Sequence, residues 1–485
     1  MKTPSASRTS RLFAQFVRIG TLFVFAAGVV ASAGQADRPN IVFILVDDLR
    51  WDALGCMGHP IARTPNIDRI AKEGALFRNF FVSIPLCSPS RASFLTGQYA
   101  HTHKVVDNAD NAALSHRLVT FPRLLHDAGY ETAYVGKWHM GMDDSSRPGF
   151  DHWVSFKGQG AYLDPVINVD GNSSKVNGYM TDILNEHAVN FVKATHQKPF
   201  LLYLSHKSVH GPFTPAERHK DLFTDATFPI PPSLNDTLEG KPALTRKVAE
   251  DASANGKKKK KKTATREAAL DSEANHFNIA RNQLRAMAAV DEGVGRILEA
   301  LEITSQLDNT LIIFTSDNGF FWREHGLGDK RWAYEESIRD PLLMRYPRLI
   351  KPGTVLEQFA LNIDIAPTLL DLAGTPVPKS IHGKSLLPLF KKSKPPWRKS
   401  FLTEYFHEKG FPRTPTWQAA RTDRWKYIHY TELEGMDELY DLKADPYELA
   451  NLINNKSSQS PLKELKAELA RLLKETAAPQ PQSRN

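Results

Sequence analysis

Two pairs of neighbouring polar residues have side chains of the type that binds a hard metal ion in proteins. Asp47-Asp48 follows one apolar run of the sequence, and Asp317-Asn318 follows another. Both pairs offer only oxygen ligands, which suit Ca²⁺ or Mg²⁺ and suit zinc poorly, because zinc favours histidine and cysteine. Acidic residues after strands also serve as helix caps, so a single pair would indicate little. Two such pairs at strand ends predict a shared divalent ion.

A second segment contains a cysteine, Cys87, whose neighbours in the sequence are unusual for a buried apolar residue. Taken alone, Cys87 would be interpreted as a small buried apolar residue, as we interpret the other cysteine, Cys56. The neighbours of Cys87 are polar, a proline lies two positions later, and Arg91 lies four positions later. At a helix start, free backbone N–H groups and Arg91 would surround the sulfur with positive charge, as at functional cysteines. The segment therefore predicts a chemically active cysteine.

Four apolar, strand-like runs are predicted to position these groups. They span residues 41–46, 132–135, 200–204 and 311–314, and each is followed by polar residues: Asp47-Asp48, Lys137 and His139, His206 and His210, and Asp317-Asn318. Helical patterns lie between the runs, and the clearest has apolar residues at 287, 290, 294, 297 and 301. Alternating strands and helices predict a mainly parallel sheet, which binds ligands at the carboxyl ends of its strands. The four polar groups should therefore form one site.

The chain of 485 residues is predicted to contain a leader and two domains. Residues 1–33 combine four basic residues, an apolar stretch and a small-residue end, which predicts a cleaved secretory signal, with an uncleaved anchor as the alternative. Residues 37–390 are predicted to form the α/β domain, and 391–476 a small antiparallel sheet with one helix, followed by a tail at 477–485. No later segment is apolar enough to span a bilayer. Because of the predicted signal, we expect an exported protein, periplasmic or secreted.

The positive charge of the chain does not indicate nucleic-acid binding. The net charge is +8, but four basic residues lie in the leader and six in the run 257–262, so the remaining chain is slightly acidic. Residues 235–275 around this run contain few large apolar side chains and are predicted to form a flexible surface insertion. Anchoring to a polyanion is the alternative function for these lysines. Two cysteines exclude a disulfide-stapled scaffold.

The segment around Cys87 resembles a signature of the sulfatases of the alkaline-phosphatase superfamily. Residues 87–91, Cys-Ser-Pro-Ser-Arg, match the family's Cys-x-Pro-x-Arg motif, and the following Ala-Ser-Phe-Leu-Thr-Gly matches as well. Residues 129–139 match the second signature of the family, and the resemblance extends from about residue 39 to 452, apart from the insertion. Within the family, three segments look most like the N-acetylglucosamine-6-sulfatase branch: residues 101–103, 326–336 and 420–430.

The resemblance implies a modified cysteine and one calcium ion. In this family the cysteine is oxidised by a modifying enzyme to Cα-formylglycine, and one hydroxyl of the hydrated aldehyde attacks the sulfur of a sulfate ester. Cys87 would be that residue. It would bind Ca²⁺ together with four oxygen ligands: Asp47, Asp48, Asp317 and Asn318.

The resemblance also implies roles for the basic residues. Lys137, His210 and Lys330 would bind the sulfate oxygens, and His210 or Lys330 would protonate the leaving oxygen. His139 would remove a proton from the second hydroxyl at position 87, and Arg91 would hold the metal-side carboxylates and the diol. Without the resemblance, Lys330 would be interpreted as a solvated surface charge and His210 as a structural residue.

The expected protein is an α/β enzyme that hydrolyses a sulfate ester on a sulfated carbohydrate. Its large, mainly parallel but mixed sheet would be flanked by helices, in an alkaline-phosphatase-like fold, with a small C-terminal α+β domain. One alternative is a phosphonate monoester or phosphodiester hydrolase that uses the same modified cysteine. A second alternative is a non-catalytic protein that binds sulfated glycans and keeps Cys87 as a thiol.

Overall fold

The structure, a computed structural model, describes residues 38–248, 266–391 and 395–477, together with Met1 and Ser393. The predicted signal at 1–33, the lysine run at 257–262 and all but the first residue of the predicted tail lie outside these residues. Every element described below belongs to the compact unit Pro39–Asn485. In the described part of the chain, no helix is both long enough and apolar enough to cross a membrane.

Strands and helices alternate along most of the chain. The strands are β1 (Asn40–Val46), β2 (Ala75–Phe81), β3 (Glu131–Gly136), β4 (His152–Ser155), β5 (Val166–Val169), β6 (Asn172–Lys175), β7 (Phe200–Ser205), β8 (Thr310–Ser316), β9 (Phe321–Trp322), β10 (Gly328–Asp329), β11 (Arg339–Arg345), β12 (Thr354–Leu356), β13 (Ala360–Leu361), β14 (Ser400–Tyr405), β15 (Trp417–Thr422), β16 (Trp425–Tyr430) and β17 (Glu438–Asp441). The helices are α1 (Pro65–Glu73), α2 (Cys87–Thr96), α3 (Ala100–His103), α4 (Ala112–Ser115), α5 (Phe121–Asp127), α6 (Met180–Lys193), α7 (Pro242–Thr245), α8 (Arg266–Ile303), α9 (Glu335–Ile338), α10 (Ile365–Leu372) and α11 (Gln459–Glu475).

A large sheet with the strand order β12-β2-β11-β8-β1-β7-β3-β4-β5-β6 forms the centre of the fold. Strands β8, β1, β7 and β3 are neighbours and run parallel, whereas β11 runs antiparallel to β8 and β2. Val46 pairs with Ser316, Leu45 with Ser205, and Gly136 with Ser205. The four strands therefore end at one level, which confirms the predicted mixed sheet and places their polar residues at one edge.

Both faces of the central strand are buried, as its uninterrupted apolar sequence predicts. Val42, Ile44 and Val46 pack in a cluster with α6 and α8, and the intervening side chains pack on the other face with α5 and α10. The apolar residues of α8 at positions 287, 290, 294, 297 and 301 all belong to the first cluster. Their helical spacing thus identified the face that packs on the sheet.

The predicted insertion at 235–275 differs from the structure at both of its ends. Lys241 and Ala243 are buried, and the Lys241 ammonium pairs with Asp236 and donates to the Leu449 carbonyl at 3.4 Å. At the other end, α8 already begins at Arg266. The low apolar content of the segment concealed this packing, because a lysine can be buried when a carboxylate such as Asp236 pairs with it.

The C-terminal antiparallel sheet β14-β15-β16-β17 is covered by α11 and packs against the rest of the unit. The rings of Phe81 and Phe401 lie 4.7 Å apart, and the Glu404 backbone N–H donates to the Ser83 carbonyl at 2.9 Å. Leu469 of α11 lies in the same apolar cluster. Residues on both sides of the predicted boundary at 390 therefore share one core.

The end of β3 depends on a glycine. Gly136 has φ +126°, and a Cβ atom there would lie 1.8 Å from the Ser205 carbonyl oxygen. Gly178 has the same φ, but its Cβ would meet no atom closer than 3.9 Å. The close approach of β3 and β7 thus excludes any side chain at Gly136, whereas Gly178 is restricted by its backbone angle alone.

We expect Gly136→Ala to destabilise the protein more than Gly178→Ala. Backbone strain accounts for about 1 kcal/mol in both variants, and the clash at Gly136 adds about 2 kcal/mol or more. Chemical unfolding of both variants beside the wild type measures the difference. Equal losses of unfolding free energy would show that β3 and β7 can separate at this point without cost.

Candidate active site

The polar residues that follow β1 and β8 meet at the edge of the sheet. The Asp48 backbone N–H donates to Asp317 Oδ1 at 3.1 Å, and Asn318 Nδ2 donates to Asp48 Oδ1 at 2.7 Å. Asp47, Asp48 and Asp317 each contribute a carboxylate oxygen to a group whose atoms all lie within 4.8 Å of one another. All four residues are buried. Three carboxylates this close repel one another strongly unless positive charge lies beside them.

Three buried cations supply that positive charge. Arg91 Nε donates to Asp317 Oδ2 at 2.8 Å, the Lys137 ammonium pairs with Asp47, and Lys330 Nζ lies 2.5 Å from Asp48 Oδ1. Burial alone would raise the pKa of Asp47, but Lys137 and other nearby cations outweigh it and hold this pKa well below its ordinary value. Each cation thus pairs with a different carboxylate of the group.

The cations do not compensate the whole acidic group. Burial, and then the Asp47 carboxylate, raise the pKa of Asp317 to about 7. Asn318 Oδ1 is buried and has no hydrogen-bond partner within the described ranges. An unpartnered amide oxygen beside mutually repelling carboxylates fits a hard divalent cation, whose preferred ligands are oxygens. The residues present therefore fit one such ion, held by Asp47, Asp48, Asp317 and Asn318.

Cys87 lies against this acidic group as the first residue of α2. Its Sγ is 3.6 Å from Asp47 Oδ1 and 3.9 Å from Asp48 Oδ1, and the residue is fully buried. The sequence predicted electropositive surroundings for the sulfur, and this prediction is wrong in part. Burial raises the pKa of the Cys87 thiol, and the positive charge of Lys330 offsets this effect only partly. A protonated thiol is a poor nucleophile, so the unmodified side chain does not suit direct attack.

The two predicted histidines lie on either side of this group. His139, at φ +59°, receives a hydrogen bond on its carbonyl from the Ser88 hydroxyl, next to Cys87. His210 places Nε2 3.7 Å from Asp48 Oδ2. Burial lowers the pKa of His139, aided by Lys137, and burial also lowers the pKa of His210 against the opposing charge of Asp48. Both rings are therefore neutral at pH 7 and can accept a proton.

The structure thus brings all ten predicted site residues into one cluster. Each is connected through the contacts given above: Asp47, Asp48, Cys87, Arg91, Lys137, His139, His210, Asp317, Asn318 and Lys330. His206, which follows the same strand as His210, was not assigned to the site. Its ring is buried, and neither ring nitrogen has a partner among the described residues.

Three residues that the sequence did not single out support the cluster. Ser205 Oγ accepts from Arg91 Nη1 at 2.6 Å, and Gln283 Nε2 donates to the Asp48 carbonyl at 3.2 Å. Lys207 lies 4.8 Å from the ring centre of Tyr162, and burial lowers its pKa to about 8. Ser205 and Lys207 were detectable because they lie at the end of β7. Gln283 had no local signal, since it lies within the long helix α8.

A cavity of about 430 Å³ reaches the cluster at Lys330. Its walls come from residues 238–248, 325–332 and 411–414, so the C-terminal part of the chain forms one side. Glu408, near that side, accepts a hydrogen bond from Arg331 Nε at 2.6 Å. Of the ten site residues, Lys330 alone lines this cavity, which therefore provides space for a ligand on one side of the cluster.

Comparison with known proteins gives two family matches. The sulfatase family matches residues 39–375, and the family of the C-terminal region of N-sulphoglucosamine sulphohydrolase matches residues 323–475. An N-acetylglucosamine-6-O-sulfatase of Bacteroides thetaiotaomicron is 36% identical, over 91% of this chain and 87% of its own length. The human N-acetylglucosamine-6-sulfatase is 29% identical, over 88% of this chain and 83% of its own length.

The fold also matches a solved structure of a protein in complex with its substrate, D-glucosamine-2-N,6-O-disulfate. The TM-score is 0.81 at 35% sequence identity, and the match covers 92% of this chain and 100% of the other. The extent of the family match, the identity to named sulfatases and the shared fold all agree with the resemblance of residues 87–91 and 129–139. The chain belongs to the sulfatase family and is a sulfuric ester hydrolase.

Proposed function

We propose that this sulfatase removes the 6-O-sulfate from a glucosamine-type residue of a sulfated glycan. The observation that carries this substrate is the 36% identity, over 91% of the chain, to a protein named N-acetylglucosamine-6-O-sulfatase. The bound glucosamine disulfate in the similar solved structure supports the same sugar class. We place the enzyme outside the cytoplasm, because residues 1–33 have the pattern of a secretory signal.

The nucleophile in this proposal derives from Cys87 through a sulfatase-modifying enzyme. The position of its Sγ, 3.6 Å from Asp47 Oδ1 at the start of α2, supports this role, and the raised pKa of the thiol argues against direct use of the sulfur. After conversion to formylglycine, the hydrated side chain supplies a hydroxyl nucleophile and a second hydroxyl through which sulfate is released. A bound Ca²⁺, held by Asp47, Asp48, Asp317 and Asn318, would draw electron density from the sulfate oxygens.

The remaining residues of the cluster bind charge and transfer protons. Lys137 and Lys330 are fixed by carboxylates, so their ammonium groups need little reorganisation as negative charge grows on the sulfate. His139 is neutral, since burial and the nearby Lys137 lower its pKa. In this proposal its ring takes a proton from residue 87. Lys330 or His210 would supply the proton for the leaving alcohol oxygen, since both border the acidic group at Asp48. The Lys330 ammonium already carries a proton, whereas the neutral ring of His210 would first have to take one up.

We expect the enzyme to release sulfate from N-acetylglucosamine 6-sulfate at least about tenfold more efficiently, in kcat/KM, than from the 3-sulfate isomer. Only the 6-sulfate would reach the cations while the sugar ring occupies the cavity at Lys330. A panel of position-defined sulfated monosaccharides measures this preference. An aryl sulfate and an aryl phosphodiester belong in the same panel, and faster hydrolysis of the phosphodiester would favour the phosphonate or phosphodiester hydrolase instead.

We expect the peptide that contains Cys87 to be about 18 Da lighter than its sequence mass in protein from a host with the modifying enzyme. Cys87→Ala should fold and show no turnover, because the side chain then offers no oxygen. Cys56→Ala, which removes the other cysteine, should remain active. Mass spectrometry and sulfate release check both statements. A peptide of unshifted mass in the native host would instead favour a non-catalytic glycan-binding protein.

The raised pKa of Asp317 makes calcium binding depend on pH. Below about pH 7 its carboxyl keeps a proton in the ion-free protein, and the ion must displace that proton. We therefore expect calcium affinity to fall about tenfold for each pH unit below 7 and to level off above it. Calorimetric titration of chelator-treated protein between pH 5.5 and about 8.5 measures the slope.

The same pKa predicts the sign of the stability change in the ion-free protein. The pKa of Asp317 rises from an ordinary 3.8 to about 7 on folding, so between these values the folded protein holds a proton that the unfolded chain has lost. This contribution to stability therefore falls as pH rises through that window. Asp317→Asn should abolish both pH effects, whereas Asp423→Asn, at an exposed ion pair, should preserve them. Calcium affinity that is constant between pH 5.5 and 7 would contradict the assignment.

A further inference from the structure

Two arginines line the cavity that reaches the active site at Lys330. Arg246 lies just before the lysine-rich segment, and Arg413 lies in the loop between β14 and β15. Arg246 Nη2 donates to the Arg413 carbonyl at 2.9 Å, which connects the two segments. Two positively charged side chains that are far apart in sequence thus meet at one wall of this cavity.

Neither guanidinium group has an anionic partner in the described part of the chain. Within residues 38–248, 266–391 and 395–477, no carboxylate lies within 4 Å of either group, and Arg246 donates to the carbonyls of Ala243 and Arg413 alone. Burial lowers the pKa of Arg246, Arg413 lowers it further, and Glu432 opposes this only in part. Arg331 in the same cavity differs, because it pairs with Asp329 and Glu408. Uncompensated positive charge beside a cavity favours an anionic ligand.

Phe411 adds an exposed apolar surface at the same place. Its side chain is 42% exposed, and the Arg331 guanidinium lies 3.4 Å from its ring centre. An exposed aromatic ring can pack against the C–H face of a sugar, while the neighbouring arginines bind a charged substituent of that sugar. The pairing of apolar ring and guanidinium groups therefore fits an anionic carbohydrate better than a free inorganic ion.

We infer that Arg246 and Arg413 bind a second anionic group of the glycan, separate from the sulfate that is cleaved. The cations at the reacting sulfate, Lys137 and Lys330, are already paired with carboxylates, whereas these two arginines have no such partner among the described residues. The inference rests on the proposed function in one respect, namely that the ligand of this cavity is a sulfated glycan. It makes the enzyme selective for substrates with at least two negative charges, supplied by a sulfate or by the carboxylate of a uronic acid.

The test compares substrates that carry one or two anionic groups. N-acetylglucosamine 6-sulfate is the singly sulfated reference, glucosamine 2-N,6-O-disulfate adds a sulfate, and a disaccharide of uronic acid with N-acetylglucosamine 6-sulfate adds a carboxylate. The quantity to compare is kcat/KM for a doubly charged probe divided by kcat/KM for the singly sulfated reference. In Arg413→Gln we expect this ratio to fall about tenfold, because KM for the doubly charged probe rises. The probe whose ratio falls identifies the anion. Arg246→Lys, which keeps the charge, should lose less than Arg246→Gln.

Arg348→Gln is the matched control, because Arg348 is exposed and does not line the cavity. Ratios that stay unchanged in Arg413→Gln for both doubly charged probes, or that fall equally in Arg348→Gln, would overturn the inference. If the wild type hydrolyses none of the probes, the proposed substrate fails, and binding decides the inference separately. Calorimetry with the Cys87→Ala protein would then compare binding of the doubly charged and singly sulfated probes. The inference requires that the doubly charged probe binds more tightly and that adding Arg413→Gln abolishes this difference. Equal binding of the two probes would refute the anion site.

Discussion

The repulsion among Asp47, Asp48 and Asp317 is the constraint on which the rest of the site depends. Three carboxylates whose oxygens lie within 4.8 Å of one another, without access to water, are stable only with positive charge against them. Arg91 and Lys137 supply part of that charge, and the unpartnered Asn318 oxygen indicates where a metal ion would supply more. Under the proposed mechanism the same groups act on the substrate, so the balance of charge that permits folding also prepares the site for an anionic ligand.

The register of the sheet converts this local balance into a precise arrangement. Because β8, β1, β7 and β3 end together, groups from four distant parts of the sequence arrive at one place without a flexible connection. Helix α2 starts at the same edge, and the Asn108 side chain accepts a hydrogen bond from the Ser88 backbone N–H at 3.0 Å. The C-terminal sheet adds the wall that carries Phe411. Rigid strands therefore position the polar side chains of the cluster, and loops from later in the chain shape the space for a ligand.

Patterns that are local in the sequence predicted the fold well, and they named the residues that the structure brings together at the edge of the sheet. An apolar run followed by Asp47 or Asp317 predicts both a buried strand and the polar residues at its end. The positions of these two aspartates at the sheet edge therefore followed from the sequence alone. The environment of the Cys87 thiol was different, because its burial and its contacts with Asp47 and Asp48, about forty positions away in the sequence, depend on the fold. Lys241 and Gln283 were missed because neither residue type signals burial. Lys241 pairs with Asp236, five positions away, and Gln283 donates to the Asp48 carbonyl, which is distant in the sequence. The burial of polar side chains, which depends on packing across the fold, was thus the information that local patterns lacked.

If residue 87 is converted as proposed, its complete burial restricts when that conversion takes place. A modifying enzyme must reach the thiol, and in the folded protein the sulfur is enclosed, with Asp47 Oδ1 3.6 Å away. Under the proposed chemistry, conversion therefore has to precede folding, and a chain that folds with an unmodified Cys87 stays inactive. The yield of folded recombinant protein then does not predict its specific activity, which depends on the fraction of chains that were modified.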